Sequence, residues 1–378
     1  MFRHIRRVHS ILLLVVAMWL SLAAAAQSVT LAHIGPFTGP AANDARDLNA
    51  GMLAYLAEVN AKGGVGGRQL DLLTLDDRYD RAEFSKQFSQ AQSRGAVALL
   101  SPLGLNALRA LLEDQLLERS DMVVVNALPG ATPFRSPGHP RLFHIRASDR
   151  QQIEKILVQA SVVGVRRMTV LVHDLRAGEA DVKGAQAAHA ELGALVLQLH
   201  EAPDNADSLA SLARTIAASD SQAVLVIGSP PRMAESVAAL RKAGVRGHIY
   251  ALSYLPHGLL STVAGQDAAR GVAIAQTYPN PMGSTMPLHR EFQTAMRQAH
   301  PKLTTYSGFH LEGYLSARMA VEGLRRVQGA VRPQTLAEAL RRMGPVDMGG
   351  FRVNFSQSNA GSAFVEIGVI DARGRLIY

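Results

Sequence analysis

The sequence predicts an α/β fold of two lobes, each a mostly parallel sheet flanked by helices. Three observations carry this. Strands alternate with helices of about 10–17 residues through most of the chain, the pattern of βαβ units. The series stops near Arg146-Ala147-Ser148-Asp149 and then starts again, as a boundary between lobes would require. A Gly/Pro loop follows the first strand at its carboxyl end, where open α/β sheets place their ligands.

A first strand over 29–34 is apolar enough to be buried. Leu48, Met52, Tyr55, Leu56 and Val59 then recur at helical spacing and give one helix an apolar face. Gly63, Gly64, Gly66 and Gly67 end it, because glycine takes the left-handed conformation that closes a helix C-terminus. A strand over 68–76 follows. Asp80 and Glu83 have capping-box spacing and start a helix over 82–94. Next come a strand over 96–100, a loop over 101–106 and a helix over 107–118. A strand over 122–125, a turn-rich stretch over 126–140 and a short strand over 142–145 close the first series.

In the second series, Ser148 or Asp149 caps a helix over 151–163. Strands over 168–172, 194–199, 223–227, 248–252 and 271–275 accompany helices over 179–192, 209–217 and 231–242. The last of these helices has proline at its start, where a missing N–H costs nothing. Residues 276–287 are rich in turn formers and mark a second boundary. Helices over 288–299, 307–328 and 335–343 and strands over 351–355 and 363–370 complete the chain.

The first 26 residues read as a targeting segment. Arg3, Arg6 and Arg7 form a positive start, residues 11–20 an apolar core, and Ala24-Ala25-Ala26 a small-residue site for cleavage before Gln27. That core is shorter than the ~20 residues a spanning helix needs, and no second run is long enough. There is no cysteine, so a lipid anchor, disulfides and thiol catalysis are all excluded. The expectation is a soluble, periplasmic protein. Without the segment, 352 residues remain, enough for two cores, and formal charge falls from +8 to +5 because three arginines leave with it. The arginine pairs are scattered and aromatic residues are sparse, which excludes a nucleic-acid surface.

Catalytic and metal signatures are missing. There is no G-x-S-x-G elbow and no H-E-x-x-H or paired-cysteine motif. His139 and His144 flank a short strand without clear ligand partners. Residues 63–67 follow a helix and lack a Lys-Ser/Thr ending, so they are not a phosphate loop. Asp76-Asp77 reads as strand-end structure rather than as a metal site. No cofactor is expected.

The chain resembles the leucine/isoleucine/valine-binding protein family, type I periplasmic solute-binding proteins of ABC importers. The matching residues are Ile34-Gly35-Pro36 with Thr38-Gly39, Gly51, Val59-Asn60-Ala61-Lys62-Gly63-Gly64 and Asp76-Asp77. Pro102-Leu103-Gly104, Pro129-Gly130-Ala131-Thr132, His173-Asp174 with Gly178-Glu179, and the helix carrying Tyr314 also fit. The resemblance implies three crossover segments forming a hinge, with ligand held between lobes. Lobe one is then 28–146 plus 277–345, and lobe two 147–276 plus 346–378, with the third crossover near 344–350. It also implies a small-molecule ligand, an inner-membrane ABC permease as partner, a monomer, and no enzyme activity.

Carried over residue by residue, the resemblance places Leu103, Gly104, Leu105 and Asn106 at the carboxylate end of the site. Backbone N–H groups at a helix N-terminus suit an anion. Leu105 stands where a serine is expected, and Asn106 reads either as its substitute or as a helix cap. Asn126 and Ala127 compete for the next anchor, with Thr132 beyond them. Phe309 aligns with an aromatic contact or packs in the core. In lobe two, Ser253 and Tyr254 stand where an acid meets the ligand ammonium. Ala177 and Pro230 stand where tyrosines are expected, and Asn43 or Asp44 replaces a further tyrosine. A buried ammonium without a partner costs several kcal/mol. Asp44 supplies that partner from another direction, or the ligand is not an amino acid; the balance favours an organic acid or a small amide. A ligand sensor of the same fold acting on a signalling partner is the alternative.

Overall fold

The computed structural model describes residues 28–188 and 195–378. The expected signal segment, its cleavage point and the end of the helix expected over 179–192 lie outside these residues. Among the described residues no helix is long and apolar enough to cross a membrane.

Strands β1 (Val29–Gly35), β2 (Leu70–Asp76), β3 (Ala98–Leu100), β4 (Val123–Val125) and β5 (Leu142–Phe143) form the first sheet. All its pairings are parallel, in the order β2-β1-β3-β4-β5. Helices α1 (Ala42–Ala61), α2 (Arg81–Ser93) and α3 (Leu105–Leu112) connect its strands. The expected apolar residues of α1 are all buried. The Asp80 carboxylate caps α2 by accepting the Glu83 N–H at 2.7 Å.

Helix α1 lies against α11 (Gly308–Leu324) at two glycines. A Cβ on Gly51 would stand 1.9 Å from the His310 carbonyl oxygen, and one on Gly313 would stand 1.9 Å from that of Leu48. Only missing side chains allow so close an approach. Asn60 ties the end of α1 to β2: its amide donates to the Leu70 carbonyl at 2.9 Å and accepts the Leu70 N–H at 2.8 Å.

The second sheet holds β6 (Arg167–Val172), β7 (Val196–Glu201), β8 (Ala223–Ile227), β9 (His248–Ala251) and β10 (Ala273–Gln276). Its order is β14-β13-β10-β9-β8-β6-β7. Its first five strands repeat the topology of the first sheet. The hairpin of β13 (Glu366–Ile370) and β14 (Leu376–Ile377) adds antiparallel to β10. Helices α4 (Asp149–Val162), α5 (Leu175–Ala188), α6 (Ala206–Ala218), α7 (Pro230–Lys242), α8 (His257–Ala264) and α9 (Gln266–Ala269) surround it. Ser148, not Asp149, caps α4, in a capping box with Gln151.

Helices α10 (Pro287–Ala299), α11 and α12 (Pro333–Arg341) return to the first lobe, and so does the small hairpin of β11 (Pro345–Asp347) and β12 (Arg352–Asn354). The third crossover was expected near residues 344–350. Residues 344–350 include the turn of that hairpin, whose Gly350 N–H donates to the Asp347 carboxylate at 2.6 Å. Val346, Met348, Phe351, Val353 and Phe355 bury themselves in the first core. The chain crosses to the second core only between Phe364 and Val365. The other crossings fall between Ile145 and Ile153 and between Ala275 and Tyr278.

At the first crossing, Arg146 is fully buried and doubly paired with Glu312 of α11, at 2.9 and 2.7 Å. Asn126 and Tyr278 also donate to Glu312, at 2.9 and 3.2 Å, and Arg146 reaches across to Ser253 of the second lobe.

Candidate ligand-binding site

In each sheet the strand order reverses once, between β1 and β3 and between β6 and β8. Such switch points open a crevice at the carboxyl ends of the strands. Here the two crevices face one another across a cavity of about 220 Å³. Thr38 and Pro40 beyond β1 and the 103–105 loop beyond β3 form one wall, and Asp174 beyond β6 and the 227–231 segment beyond β8 form the other. The walls are mostly apolar, built by Leu103, Leu105, Leu128, Pro129, Ala131, Ala177, Ile227, Pro230, Pro231 and Phe309.

Three carboxyls reach this cavity. Asp44, in the first turn of α1, is 8% exposed and has no hydrogen-bond or ion-pair partner among the described residues. Burial, with Asp47 nearby, pushes it up to about 7. Asp149 accepts the Tyr254 hydroxyl, and the Gly130 N–H donates to Tyr254 Oη at 2.6 Å. Burial and the neighbouring Asp181 push Asp149 up to about 6. Asp174 pairs with Arg109 at 2.7 Å across the lobes. A further interlobe contact joins Thr132, which donates to Asp181 from Oγ1 at 2.6 Å and from N at 2.9 Å.

The loop after β2 contributes Arg78 and Tyr79, both in the left-handed region, with φ of 54° and 61°. That conformation is unusual outside glycine and marks a segment shaped by its surroundings. Asp76 and Asp77 hold it, accepting the Arg78 and Tyr79 N–H groups at 2.9 and 2.8 Å. The Tyr79 ring lies on Gly104, so closely that a Cβ there would stand 2.5 Å from the ring. Among the described residues no group of three or more histidine or carboxylate side chains is placed to hold a metal.

The sequence matches the periplasmic binding protein family over residues 28–366. The chain belongs to that family. No curated protein matches it. Among solved structures, this periplasmic binding protein is similar to an extracellular ligand-binding receptor from Verminephrobacter eiseniae. The two share 43% identity over 93% of this chain and 100% of that one, with a TM-score of 0.88. A substrate-binding periplasmic protein from Ralstonia solanacearum is 28% identical over 93% of this chain and 99% of the other, with a TM-score of 0.81. A branched-chain amino acid ABC transporter protein from Thermus thermophilus, solved with bound valine, shares the fold at 22% identity over 93% of this chain and 95% of the other, with a TM-score of 0.78.

In this periplasmic binding protein, eight of the residues expected at the site line the cavity: Asp44, Leu103, Gly104, Leu105, Ala177, Pro230, Tyr254 and Phe309. Six do not. Asn43 is exposed and faces Arg46. The Asn106 amide donates to the Tyr79 carbonyl at 2.8 Å and so supports the loop rather than entering the cavity. Asn126 is buried against Glu312 and Ser316, and Ala127 lies in the core. Thr132 is taken by Asp181, and Ser253 by Arg146. Thr38, Arg78, Tyr79, Leu128, Asp149 and Asp174 were missed. Tyr79 carried a usable signal: an aromatic residue just past the carboxyl end of a strand.

Proposed function

We propose that this periplasmic binding protein is the solute receptor of an ABC importer. It is exported after cleavage before Gln27 and works as a monomer. It closes its two lobes over one amino-acid-sized organic acid or amide with an apolar body, and it presents the closed form to an inner-membrane permease. It acts by binding, not by catalysis. The observation that carries this reading is the apolar cavity where both switch points meet, bridged by Arg109–Asp174 and Thr132–Asp181. Its volume of about 220 Å³ lies below the range that drug-sized ligands occupy, and it suits a small metabolite. The valine held by the Thermus thermophilus neighbour is a ligand of that size class. The domain boundaries set the motion: three crossover strands let the lobes hinge, and ligand favours the closed form.

Native mass spectrometry of the purified protein, followed by thermal-shift screening, tests the reading. The expected result is a one-to-one complex and a raised Tm with one chemical class. A protein that carries no small molecule, and gains no stability from amino acids, amides or organic acids, is not a solute receptor.

A further inference from the structure

We propose that Asp44 is the recognition group for a nitrogen donor: the ligand presents an amine or amide N–H to this carboxyl, and the plain carboxylate of the same skeleton is rejected. This rests on the solute-receptor reading and narrows its ligand class. Asp44 is more than nine-tenths buried, faces the cavity and lacks a partner among the described residues. A buried carboxyl in that state is costly, and a donor supplied by the ligand removes the cost. The two other acids of the wall are already engaged, Asp149 by Tyr254 and Asp174 by Arg109.

Two helix starts that could hold an anion offer few donors. At the start of α3 the Tyr79 ring covers Gly104. Helix α7 opens with Pro230 and Pro231, which have no N–H to offer. Among the described residues Arg78 is the one cationic side chain of the lining, and it is exposed to solvent, where a charge pair is worth little. Above pH 7, where the Asp44 carboxyl is charged, a free carboxylate entering beside it meets a like charge, so the series is run at pH 8.

The test is a thermal-shift and calorimetric series in which straight, branched and aromatic skeletons are each offered as acid, primary amide and amine. Within a skeleton, the amide or amine raises Tm and the acid does not. Asp44→Leu abolishes both shifts. Asp44→Asn keeps an acceptor oxygen without the charge, so it retains the amide and weakens the amine roughly tenfold or more. Circular dichroism checks that both variants fold. The molecule released from wild-type protein on denaturation carries an N–H. An acid that binds as tightly as its amide and amine, a released molecule without nitrogen, or unchanged affinities in both folded variants overturns the proposal and leaves the receptor reading intact. Absence of any shift and of any released molecule overturns both.

Discussion

Burial of Asp44 without a partner among the described residues is expected to cost stability in the ligand-free protein and to make that stability depend on pH. Burial, with Asp47 nearby, pushes its carboxyl up to about 7 in the folded protein, from the ordinary 3.8 of an aspartate in water. Between those values the folded state binds more protons than the unfolded state, so this residue's contribution to stability falls as pH rises from about 4 to about 7. At pH 8 the cost is at most about 4 kcal/mol. Asp44→Asn should therefore match the wild-type Tm at pH 4 and exceed it by pH 8, measured without ligand. A constant offset across that range would show that Asp44 does not titrate in it. The other polar site candidates show how far a side chain's direction escapes local sequence. Asn126 was legible as a residue after a strand, but its amide turns inward to Glu312, 186 positions away. Asn106 turns back to support Tyr79. Each direction is fixed by a partner that only tertiary contact supplies.

Helices α1 and α11 lie as close as their backbones permit, and the glycine pair makes that possible. Gly313→Ala places a methyl against the Leu48 carbonyl, where backbone and not a flexible side chain must yield. We expect a loss of about 2–4 kcal/mol in urea unfolding, with Gly51→Ala behaving alike. A loss below about 0.5 kcal/mol would mean that the helices move apart freely. Gly51 was legible as part of a family pattern, and its reason lies in a helix more than 250 residues later. Elements with a strong apolar period or a clear cap, such as α1 and α2, were legible from sequence. Helices α8 and α9 were not, because each buries a single residue, Leu260 and Ala269, and so shows no stripe. Helix α5 begins at Leu175, four residues before the expected 179, because the chain turns helical directly after Asp174.

Direct bonds, Arg109 to Asp174 and Thr132 to Asp181, join the elements around the first sheet to those around the second. Thr132→Val combined with Asp174→Asn removes the Thr132 hydroxyl from Asp181 and the charge facing Arg109, and so weakens both interlobe links without touching Asp44. The closed form should lose population, so every ligand should weaken by a similar factor, roughly three- to thirtyfold, with the order of ligands unchanged. Calorimetry gives the factor, and small-angle scattering of the ligand-free protein should show a larger radius of gyration. A changed ligand order with an unchanged radius would instead place these residues in recognition. At the hinge, Glu312→Gln leaves the Arg146 charge buried without its partner. Breaking such a pair costs about 3–5 kcal/mol, to be read as a lower midpoint in urea unfolding. The third crossing shows why whole-molecule organisation is hard to read locally. The family resemblance puts a crossover near 344–350, while Phe351 and Phe355 of the following hairpin are buried in the first core.

By itself the sequence determined the α/β class, the two sheets and the family, because strand and helix periods and Gly/Pro breaks are properties of neighbouring residues. It also brought Asp44 forward as a cleft acid. The tertiary structure alone decided that both switch points share one cavity, that Tyr79 covers the start of α3, and that Asp44 is the cavity carboxyl without a partner among the described residues. Those facts depend on which distant groups meet, and pairing between distant groups is settled only when the chain has packed.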